Sequence, residues 1–360
     1  MPVPPVVQQH LGDIPWVTVR GTRDECFKLL GSLAAQEIRD LIGAMPEMPR
    51  LRAQTSSRVG GDFYAGIYRE SAEAYPSLMT ELRALSTGSG SALNDLLLLN
   101  FRGDLGSDRE GCSDIGWTDG TNVITGHNED GSEQLADRCY LLTLKVEDEP
   151  VITTWWYPGF LPGNTFTVSE SGLVWGMDSL TVCDPPRAPG RAFVARALQS
   201  QTSLDTAATF LRSHKSAGGW GCLMAQVDDP RAIVFEFGGG GFGQHAVNGT
   251  NDGKSSCTRV HHTNHASFLP AVRTLSEAES IERARILRDA PLPTPPSVDS
   301  LLSLLAREPL PKGVRAPGTK GRSATLCTMI VEVTKRVATF APLHGEKISV
   351  PLDELTRAGP

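Results

Sequence analysis

The chain has 360 residues, 40% hydrophobic and 21% charged, a composition typical of a globular protein with a substantial core and not of a disordered one. Its 34 basic and 41 acidic side chains leave a formal net charge of -7. The charges do not cluster, which argues against nucleic acid or an anionic membrane as a partner, because both are usually bound by a concentrated basic face.

The cysteines and the apolar segments predict the compartment. Seven cysteines are scattered along the chain without a Cys-x-x-Cys pair, so neither a disulfide framework nor a thiolate zinc site is expected. The start, "MPVPPVVQQHLGDIPW", lacks the basic segment and apolar core of a secretory signal, and the most apolar run, "LNDLLLLNF", is too short to span a bilayer. We therefore expect a cytoplasmic protein without a membrane partner.

The first third of the chain is predicted to form one strand followed by helices. "WVTVRG" (16–21) alternates as a strand does, and segment 22–45 places apolar residues at helical spacing behind a threonine N-cap. Helical patterns recur in 71–86 and 91–103. Segment 102–111, "RGDLGSDREG", is polar, glycine-rich and aperiodic. It is predicted to be an exposed loop, the kind of segment in which a chain can be cut.

From residue 112 the pattern changes to strand pairs joined by tight turns. Grouped hairpins and helices favour an α+β layered domain over a parallel βαβ sheet. "FGGGGFG" (237–243) lacks the lysine and following helix of a phosphate loop, so it is predicted to be a glycine-rich hairpin end. The predicted strand pairs are 112–130, 139–159, 165–180, 222–238 and 324–342, with a further strand in 257–265 and helices at 190–201, 203–215 and within 275–307.

The junction between the two regions, Gly111-Cys112, suggests an N-terminal nucleophile. If the chain is cut after Gly111, the Cys112 thiol lies beside a free α-amine, whose typical pKa of about 7.7 to 8.0 is close to the value of about 8.5 for a thiol. The amine can then act as general base for the thiol of the same residue. Cys112 itself could make the cut by attacking the carbonyl of Gly111, where no Cβ blocks the approach.

Two further residues are predicted to complete the site. Asp130, in "GHNED" on the strand paired with that of Cys112, is expected to orient the new ammonium, and Asn264, in "HHTNH", is expected to stabilise the developing oxyanion. The alternatives are that Asp130 caps the turn at Gly131 and that Asn264 bonds neighbouring backbone. His127, beside a nucleophile that carries its own base, is predicted to be a packed strand residue.

This arrangement resembles the N-terminal-nucleophile (Ntn) hydrolases of the isopenicillin N acyltransferase type, the self-processing peptidase C45 family. Within that family the chain looks most similar to the β-alanyl-amine hydrolases, which cleave β-alanyl dopamine and carcinine and share a G-H-x-E-D stretch and a G-x-L-P-G turn. The resemblance covers nearly the whole chain and is carried by "VRGTRDE", "QEIRDLI", "GCSDIGW", "TGHNED", "YPGFLPGNTFTVSESGLVWGMDSL", "GRAFVARAL", "HHTNH" and "TLCTMIVEVTKRVATFAP".

The resemblance implies a four-layer αββα sandwich made as one precursor. Cleavage at Gly111-Cys112 would give an N-terminal chain, 1–111, and a catalytic chain, 112–360, which stay together as a heterodimer forming one domain. Cys112 would be the nucleophile, Asp130 would hold its α-amine and Asn264 would point into the oxyanion hole.

The resemblance also suggests substrate-binding residues. The acyltransferase has a functional arginine shortly before the last hairpin, and Arg322 in "GRSATLC" is the nearest match. Asp114 departs from the acyltransferase pattern of small hydroxyl or apolar residues and is expected to face the substrate pocket. Trp156, between Trp155 and Tyr157, is either core or the wall of an acyl pocket.

The leading hypothesis is a cysteine amide hydrolase that needs no cofactor. Cys112 attacks the carbonyl of a small N-acyl or aminoacyl amide, forms a thioester, and water releases the acid. Asp114 is compatible with an acyl part that carries an amine, such as a β-alanyl group. The alternative is an acyltransferase of natural-product biosynthesis, in which an amine or a coenzyme A thioester replaces water as one partner.

A third hypothesis is a non-catalytic metal-binding protein. His261, His262 and His265, with Cys257 nearby, form half of a zinc motif. Zinc sites usually pair such a half-motif with a second one, and no second one is evident in the sequence, so no metal is expected.

Overall fold

The computed structural model describes residues 5–106, 111–249, 258–318 and 323–357. Within these residues the strands are β1 (Val6–Leu11), β2 (Ile14–Gly21), β3 (Ser113–Thr118), β4 (Val123–Gly131), β5 (Tyr140–Val146), β6 (Ile152–Trp156), β7 (Thr167–Ser169), β8 (Leu173–Leu180), β9 (Gly219–Gln226), β10 (Ala232–Gly238), β11 (Gly241–Val247), β12 (Arg259–His262), β13 (Ala324–Glu332), β14 (Val337–Pro342) and β15 (Ile348–Pro351). The α-helices are α1 (Arg23–Leu33), α2 (Ala35–Ala44), α3 (Met48–Ser56), α4 (Arg58–Ala74), α5 (Pro76–Ser89), α6 (Leu93–Phe101), α7 (Arg191–Leu198), α8 (Leu204–Ser213), α9 (Ala278–Asp289), α10 (Val298–Leu302) and α11 (Leu352–Thr356). A 3₁₀ turn (Glu133–Leu135) and a π turn (Ser303–Arg307) complete the elements.

The strands form two sheets that pack face to face. The larger sheet has the order β1-β2-β5-β6-β7-β8-β9-β10-β11, and the smaller has the order β12-β3-β4-β13-β14-β15. Strands β3 and β12 of the small sheet lie against β8, β9 and β10 of the large one. Neighbouring strands are antiparallel except β2 and β5, which run parallel. A parallel pair needs a long connection, and here α1 to α6 and the β3–β4 hairpin provide it.

Helices cover the outer face of each sheet. Helix α1 packs on β2 and β5, and α8 packs on β9, β10 and β11. On the other side, α9 packs on β3 and β12, and α10 packs on β13. A second apolar cluster, which includes Ile115, Ile286 and Ile330, fills the space between the small sheet and these helices. The layers are therefore α, β, β and α, and the predicted α+β sandwich is confirmed.

The predicted hairpins are confirmed, because β3–β4, β5–β6, β7–β8, β9–β10 and β13–β14 are antiparallel pairs. The glycine-rich run is the end of the β10–β11 hairpin, where Gly239 and Gly240 have φ of 59° and 79°. Positive φ at both turn residues favours glycine. The expected N-caps are also present, since Thr22 and Ser203 each form a capping box.

Several elements were not predicted from the sequence, namely β1, α3, most of α4, β11, β15 and α11. Strands β1, β11 and β15 lie at sheet edges and are mostly half-buried or exposed. Edge strands need fewer apolar side chains, so the alternation that identifies a strand is weak. Helix α3 carries only two buried residues, Met48 and Leu51, which leaves little helical periodicity to detect.

The segment before residue 107 shares one hydrophobic core with the rest of the chain. Phe101 of α6 stacks on Phe193 of α7 with ring centroids 5.6 Å apart. The buried guanidinium of Arg196 also bonds the buried carboxylate of Glu81, with Nη2 and Oε1 2.8 Å apart. These contacts join the segments on either side of Gly111 without relying on the peptide bond between them. None of the helices in the described ranges combines the length and apolar character needed to cross a membrane.

Candidate active site

Cys112 directly precedes β3, the second strand of the small sheet. Strand β3 is flanked by β12 and β4, so residues next to Cys112 come from both neighbours. The β3–β12 pairing sets Asp114 opposite His262. Continued by two residues, the same antiparallel register sets Cys112 opposite Asn264. Cys112 is buried, with 5% of its surface exposed.

The backbone nitrogen of Cys112 is held by the predicted residue Asn264. The Cys112 N–H donates to Asn264 Oδ1 at 2.8 Å, and Asn264 Nδ2 donates to the carbonyl of Ser179 at 3.1 Å. The two donors that meet Oδ1, Cys112 N–H and Arg283 Nη2, fix the orientation of the side-chain amide. In the uncut chain the Asn264 side chain thus accepts a hydrogen bond from the Cys112 nitrogen, and its amide nitrogen donates to Ser179.

Arg283, which the sequence analysis missed, is the main cation at this site. It lies on α9 with 8% of its surface exposed. Its Nη1 donates to the Cys112 carbonyl and, at 2.7 Å, to Ser113 Oγ, while Nη2 donates to Asn264 Oδ1 at 2.8 Å. The segment "SIERARILRD" has the charge density of a solvated helix. Helical spacing could have identified Arg283 as a buried residue, because it lies on the same face of α9 as Ser280, Ile286 and Leu287.

Asp130 lies at the end of β4, on the wall of the same site. Its Oδ1 accepts a hydrogen bond of 2.6 Å from Thr325 Oγ1 on β13, the strand that pairs with β4. Burial raises the pKa of the Asp130 carboxyl to about 7, and the positive charge of Arg283 partly opposes this shift. The structure therefore brings Asp130 and Asn264 together beside Cys112, but the acceptor in contact with the Cys112 nitrogen is Asn264.

A cavity of about 500 Å³ opens at this point, between α9 and the segment that follows the π turn. Gly111, Asp130, Asn264 and Arg283 are among the residues that line it. A Cβ built on Gly111 would lie 3.0 Å from Arg283 Nη2, so glycine allows the guanidinium to approach the chain at residue 111. The rest of the lining mixes charged and apolar side chains, including Leu275, Glu277, Glu279, Leu310, Val314 and Arg315.

The structure places Asp114 away from this cavity, in a buried ionisable layer between the two sheets. Asp114 Oδ1 accepts from His127 Nδ1 at 2.9 Å, and Glu129 Oε2 accepts from His127 Nε2 at 3.1 Å. The Tyr157 hydroxyl donates to Glu129 Oε1 at 2.8 Å. Burial lowers the pKa of His127, but Asp114 and Glu129 outweigh it and raise the pKa well above its usual range. His127 is thus a protonated link between two carboxylates rather than a simple packing residue.

Two glycines of the large sheet make room for the imidazole rings of this layer. A Cβ on Gly176 would lie 2.4 Å from His127 Nδ1, and a Cβ on Gly221 would lie 1.9 Å from His262 Cε1. His262 bonds Asp178 Oδ2 at 2.6 Å and Glu236 Oε1 at 3.1 Å. Although burial opposes it, hydrogen bonding to these two carboxylates raises the pKa of His262 to about 10.

The histidines of the hypothetical metal cluster have separate environments. His262 is held in the layer between the sheets, whereas His265 Nδ1 bonds Ser280 Oγ at 2.8 Å under α9. Burial lowers the pKa of His261 to about 4. Cys257, the fourth residue of that hypothesis, lies outside the described residues.

Trp156 is not among the residues that line the cavity. Trp156 is buried in the large core, and its Nε1–H donates to the Phe160 carbonyl at 2.8 Å. Of the two interpretations offered for Trp156, the structure therefore places it in the core. Arg322 lies outside the described residues.

The sequence matches the model of a known protein family. The model for acyl-coenzyme A:6-aminopenicillanic acid acyl-transferases matches residues 117–345, more than half of the sequence. The chain belongs to this acyl-transferase family. Membership supports an Ntn-type amide hydrolase or acyltransferase, and the resemblance expected from the sequence is confirmed. No curated protein matches the chain.

Solved structures offer a more distant comparison. A cysteine-to-alanine mutant of conjugated bile acid hydrolase from Clostridium perfringens matches at 8% identity, covering 69% of this chain and 95% of its own, with a TM-score of 0.38. An arginine-to-leucine variant of the same enzyme matches at 8% identity and the same coverage, with a TM-score of 0.40.

Proposed function

We propose that this member of the acyl-transferase family is a self-processing cysteine amide hydrolase. Cys112 cuts the chain after Gly111 and then, as the first residue of the chain 112–360, attacks the carbonyl of a small N-acyl or aminoacyl amide. The observation that carries the proposal is the 2.8 Å hydrogen bond from the Cys112 N–H to Asn264 Oδ1. This bond holds the nitrogen that would become the catalytic amine.

The amine supplies the base for turnover. Burial, followed by the nearby charges of Glu129, Asp178 and Asp130, raises the pKa of the Cys112 thiol well above its usual range in the uncut chain. The thiol is therefore protonated and needs a base in order to attack. After cleavage the adjacent α-amine takes this proton, and Asn264 Oδ1 keeps the amine oriented beside the sulfur.

The thioester that forms is then hydrolysed. The sulfur bonds the substrate carbonyl carbon, the amine of the leaving group takes the proton, and water releases the acid. Arg283 supports this step as a fixed cation that bonds the Cys112 carbonyl and Asn264, so it holds the nucleophile and its acceptor in one geometry.

The cavity supports a small substrate. Its volume of about 500 Å³ falls within the usual range of small-ligand pockets. In the uncut chain it is bordered by Gly111, so release of the new carboxyl end at residue 111 would open it toward the sulfur. The wall carboxylate of Glu277 suits an acyl part that carries an ammonium, such as a β-alanyl group. Glu277 thus takes the role that the sequence suggested for Asp114.

The two segments are expected to remain together after the cut as a heterodimer of 1–111 and 112–360. The contacts of Phe101 with Phe193 and of Glu81 with Arg196 join them independently of the cleaved bond. Co-purification of both fragments through size-exclusion chromatography would support this, and loss of the smaller fragment would contradict it.

Trapping the acyl-enzyme tests the proposed chemistry. The protein is incubated with β-alanyl and N-acyl amides and quenched in acid, and the fragments are weighed by mass spectrometry. We expect the acyl mass on the fragment that begins at Cys112 in the wild type and in Cys327→Ala, a control at another buried cysteine. Acylation that persists in Cys112→Ala would contradict the assignment.

An acyltransferase is the second candidate, and the family match favours it. The chemistry is the same up to the thioester, after which an amine takes the place of water. Supplying a coenzyme A thioester and a small amine distinguishes the two: an amide product indicates a transferase, and free acid alone indicates a hydrolase.

A further inference from the structure

Self-cleavage poses a proton-transfer problem that turnover does not. Before the cut, the nitrogen of Cys112 is a peptide amide, which has no available lone pair to act as a base. The Cys112 thiol is protonated in the precursor, because burial and the charge of Glu129 raise its pKa, so it must lose this proton in order to attack. A different group must therefore accept the thiol proton in the precursor.

The layer between the sheets provides candidates for this group. The Cys112 sulfur, a ring nitrogen of His127 and a carboxylate oxygen of Glu129 all lie within 4.8 Å of one another. All three residues are buried, with 5%, 3% and 5% of their surfaces exposed. This proximity places the sulfur beside two side chains to which the turnover mechanism gives no proton-transfer role.

The hydrogen bonds identify which of the two neighbours can accept. His127 is clamped between Asp114 and Glu129, and these carboxylates raise its pKa, so both of its ring nitrogens carry protons. A doubly protonated ring cannot accept another proton. Glu129 instead presents carboxylate oxygens, and its contacts with Tyr157 and His127 hold them in place.

We infer that Glu129 is the proton acceptor for self-cleavage, which makes it a catalytic residue of processing that is distinct from the α-amine used in turnover. This inference rests on the proposed self-cleavage. The thiol S–H bond breaks, the proton passes to the Glu129 carboxylate, and the sulfur bonds the Gly111 carbonyl carbon.

The remaining steps return the proton. The bond between the Gly111 carbonyl carbon and the Cys112 nitrogen breaks, and the leaving nitrogen takes the proton back from Glu129 and becomes an amine. The product is a thioester between Gly111 and the Cys112 sulfur, which water hydrolyses. Atoms and charge balance without any group from outside the chain except water.

The experiment follows cleavage of the full-length chain by mass spectrometry after synthesis in a cell-free system. Glu129→Gln is expected to slow the appearance of the two fragments by about 100-fold or more, as the loss of a general base does. Glu129→Asp retains a carboxylate and should recover part of the rate. Tyr157→Phe, which removes a hydrogen bond to the same carboxylate, should lose far less than Glu129→Gln.

Hydroxylamine separates formation of the thioester from its hydrolysis, and the partial recovery expected in Glu129→Asp separates loss of the base from a structural effect. Hydroxylamine attacks a thioester but not a peptide bond, so it should leave Glu129→Gln uncut, because the thioester has not formed. Cleavage of Glu129→Gln within about threefold of the wild type would overturn the inference, and so would its rescue by hydroxylamine. Either result would leave the proposed function intact. A wild type that stays uncut would overturn both.

Discussion

Replacing Arg283 tests whether the site works as a rigid unit. Arg283→Met keeps much of the buried stem but removes the guanidinium, which donates to Ser113 Oγ at 2.7 Å and to Asn264 Oδ1 at 2.8 Å. Hydrogen bonds that involve a charged group contribute about 1.5 to 3 kcal/mol each. If the loss of these bonds from Cys112 and Asn264 raises the activation free energy of cleavage by about 3 kcal/mol, cleavage slows by about 100-fold.

The assay is the rate at which the fragments 1–111 and 112–360 appear, with folding checked by circular dichroism and thermal melting. Arg285→Met is the matched control, because Arg285 lies on the same helix but is half exposed and pairs with Glu282 at the surface. We expect the control to cleave like the wild type. A folded Arg283→Met that also cleaves within about threefold of the wild type would refute the positioning role.

Three further changes probe the layer between the sheets, the carboxyl of the site and the cavity. Gly221→Ala places a Cβ 1.9 Å from the imidazole of His262 and should lower the free energy of unfolding, measured in urea, by about 1 to 3 kcal/mol or more. Gly43→Ala, whose Cβ would have no atom within 4 Å, should not lower it. Equal stabilities of the two variants would contradict this reasoning. Burial raises the pKa of Asp130 to about 7, against about 3.9 when unfolded, so this carboxyl makes stability fall as pH rises from about 4 to 7. Asp130→Asn should make that fall shallower, and an unchanged pH profile would contradict the burial argument. Glu277→Gln should raise KM for β-alanyl amides by about 2- to 5-fold without affecting KM for neutral acyl amides. Glu282→Gln, on the helix that Glu277 precedes, should change neither KM, and equal effects of Glu277→Gln on both substrates would contradict the ammonium contact.

Sequence reasoning was most successful where local pairing sets the geometry. The strand–turn–strand pattern after Cys112 brings Asp130 onto the neighbouring strand, and "HHTNH" continues the other neighbouring strand to Asn264. These contacts depend on alternation and register, which a single sequence encodes within a few residues. The fold class followed from the same hairpins.

The residues that were missed or misplaced depend on tertiary packing. Arg283 reaches Cys112 only because α9 packs across the small sheet, more than 150 residues along the chain. Asp114 is only two residues from the nucleophile, but its side chain faces the large sheet, where Gly176 leaves space for it and for His127. The predicted pairing of the two strands puts Asp114 and His127 on one face of the sheet, but the sequence does not show which layer covers that face.

The most direct test of the account is the intact mass of freshly purified wild-type protein beside Cys112→Ala. The account predicts two wild-type fragments that meet between Gly111 and Cys112 and a single uncut chain in the variant. An intact wild-type chain would contradict it, because Cys112 would then have no α-amine to serve as its base.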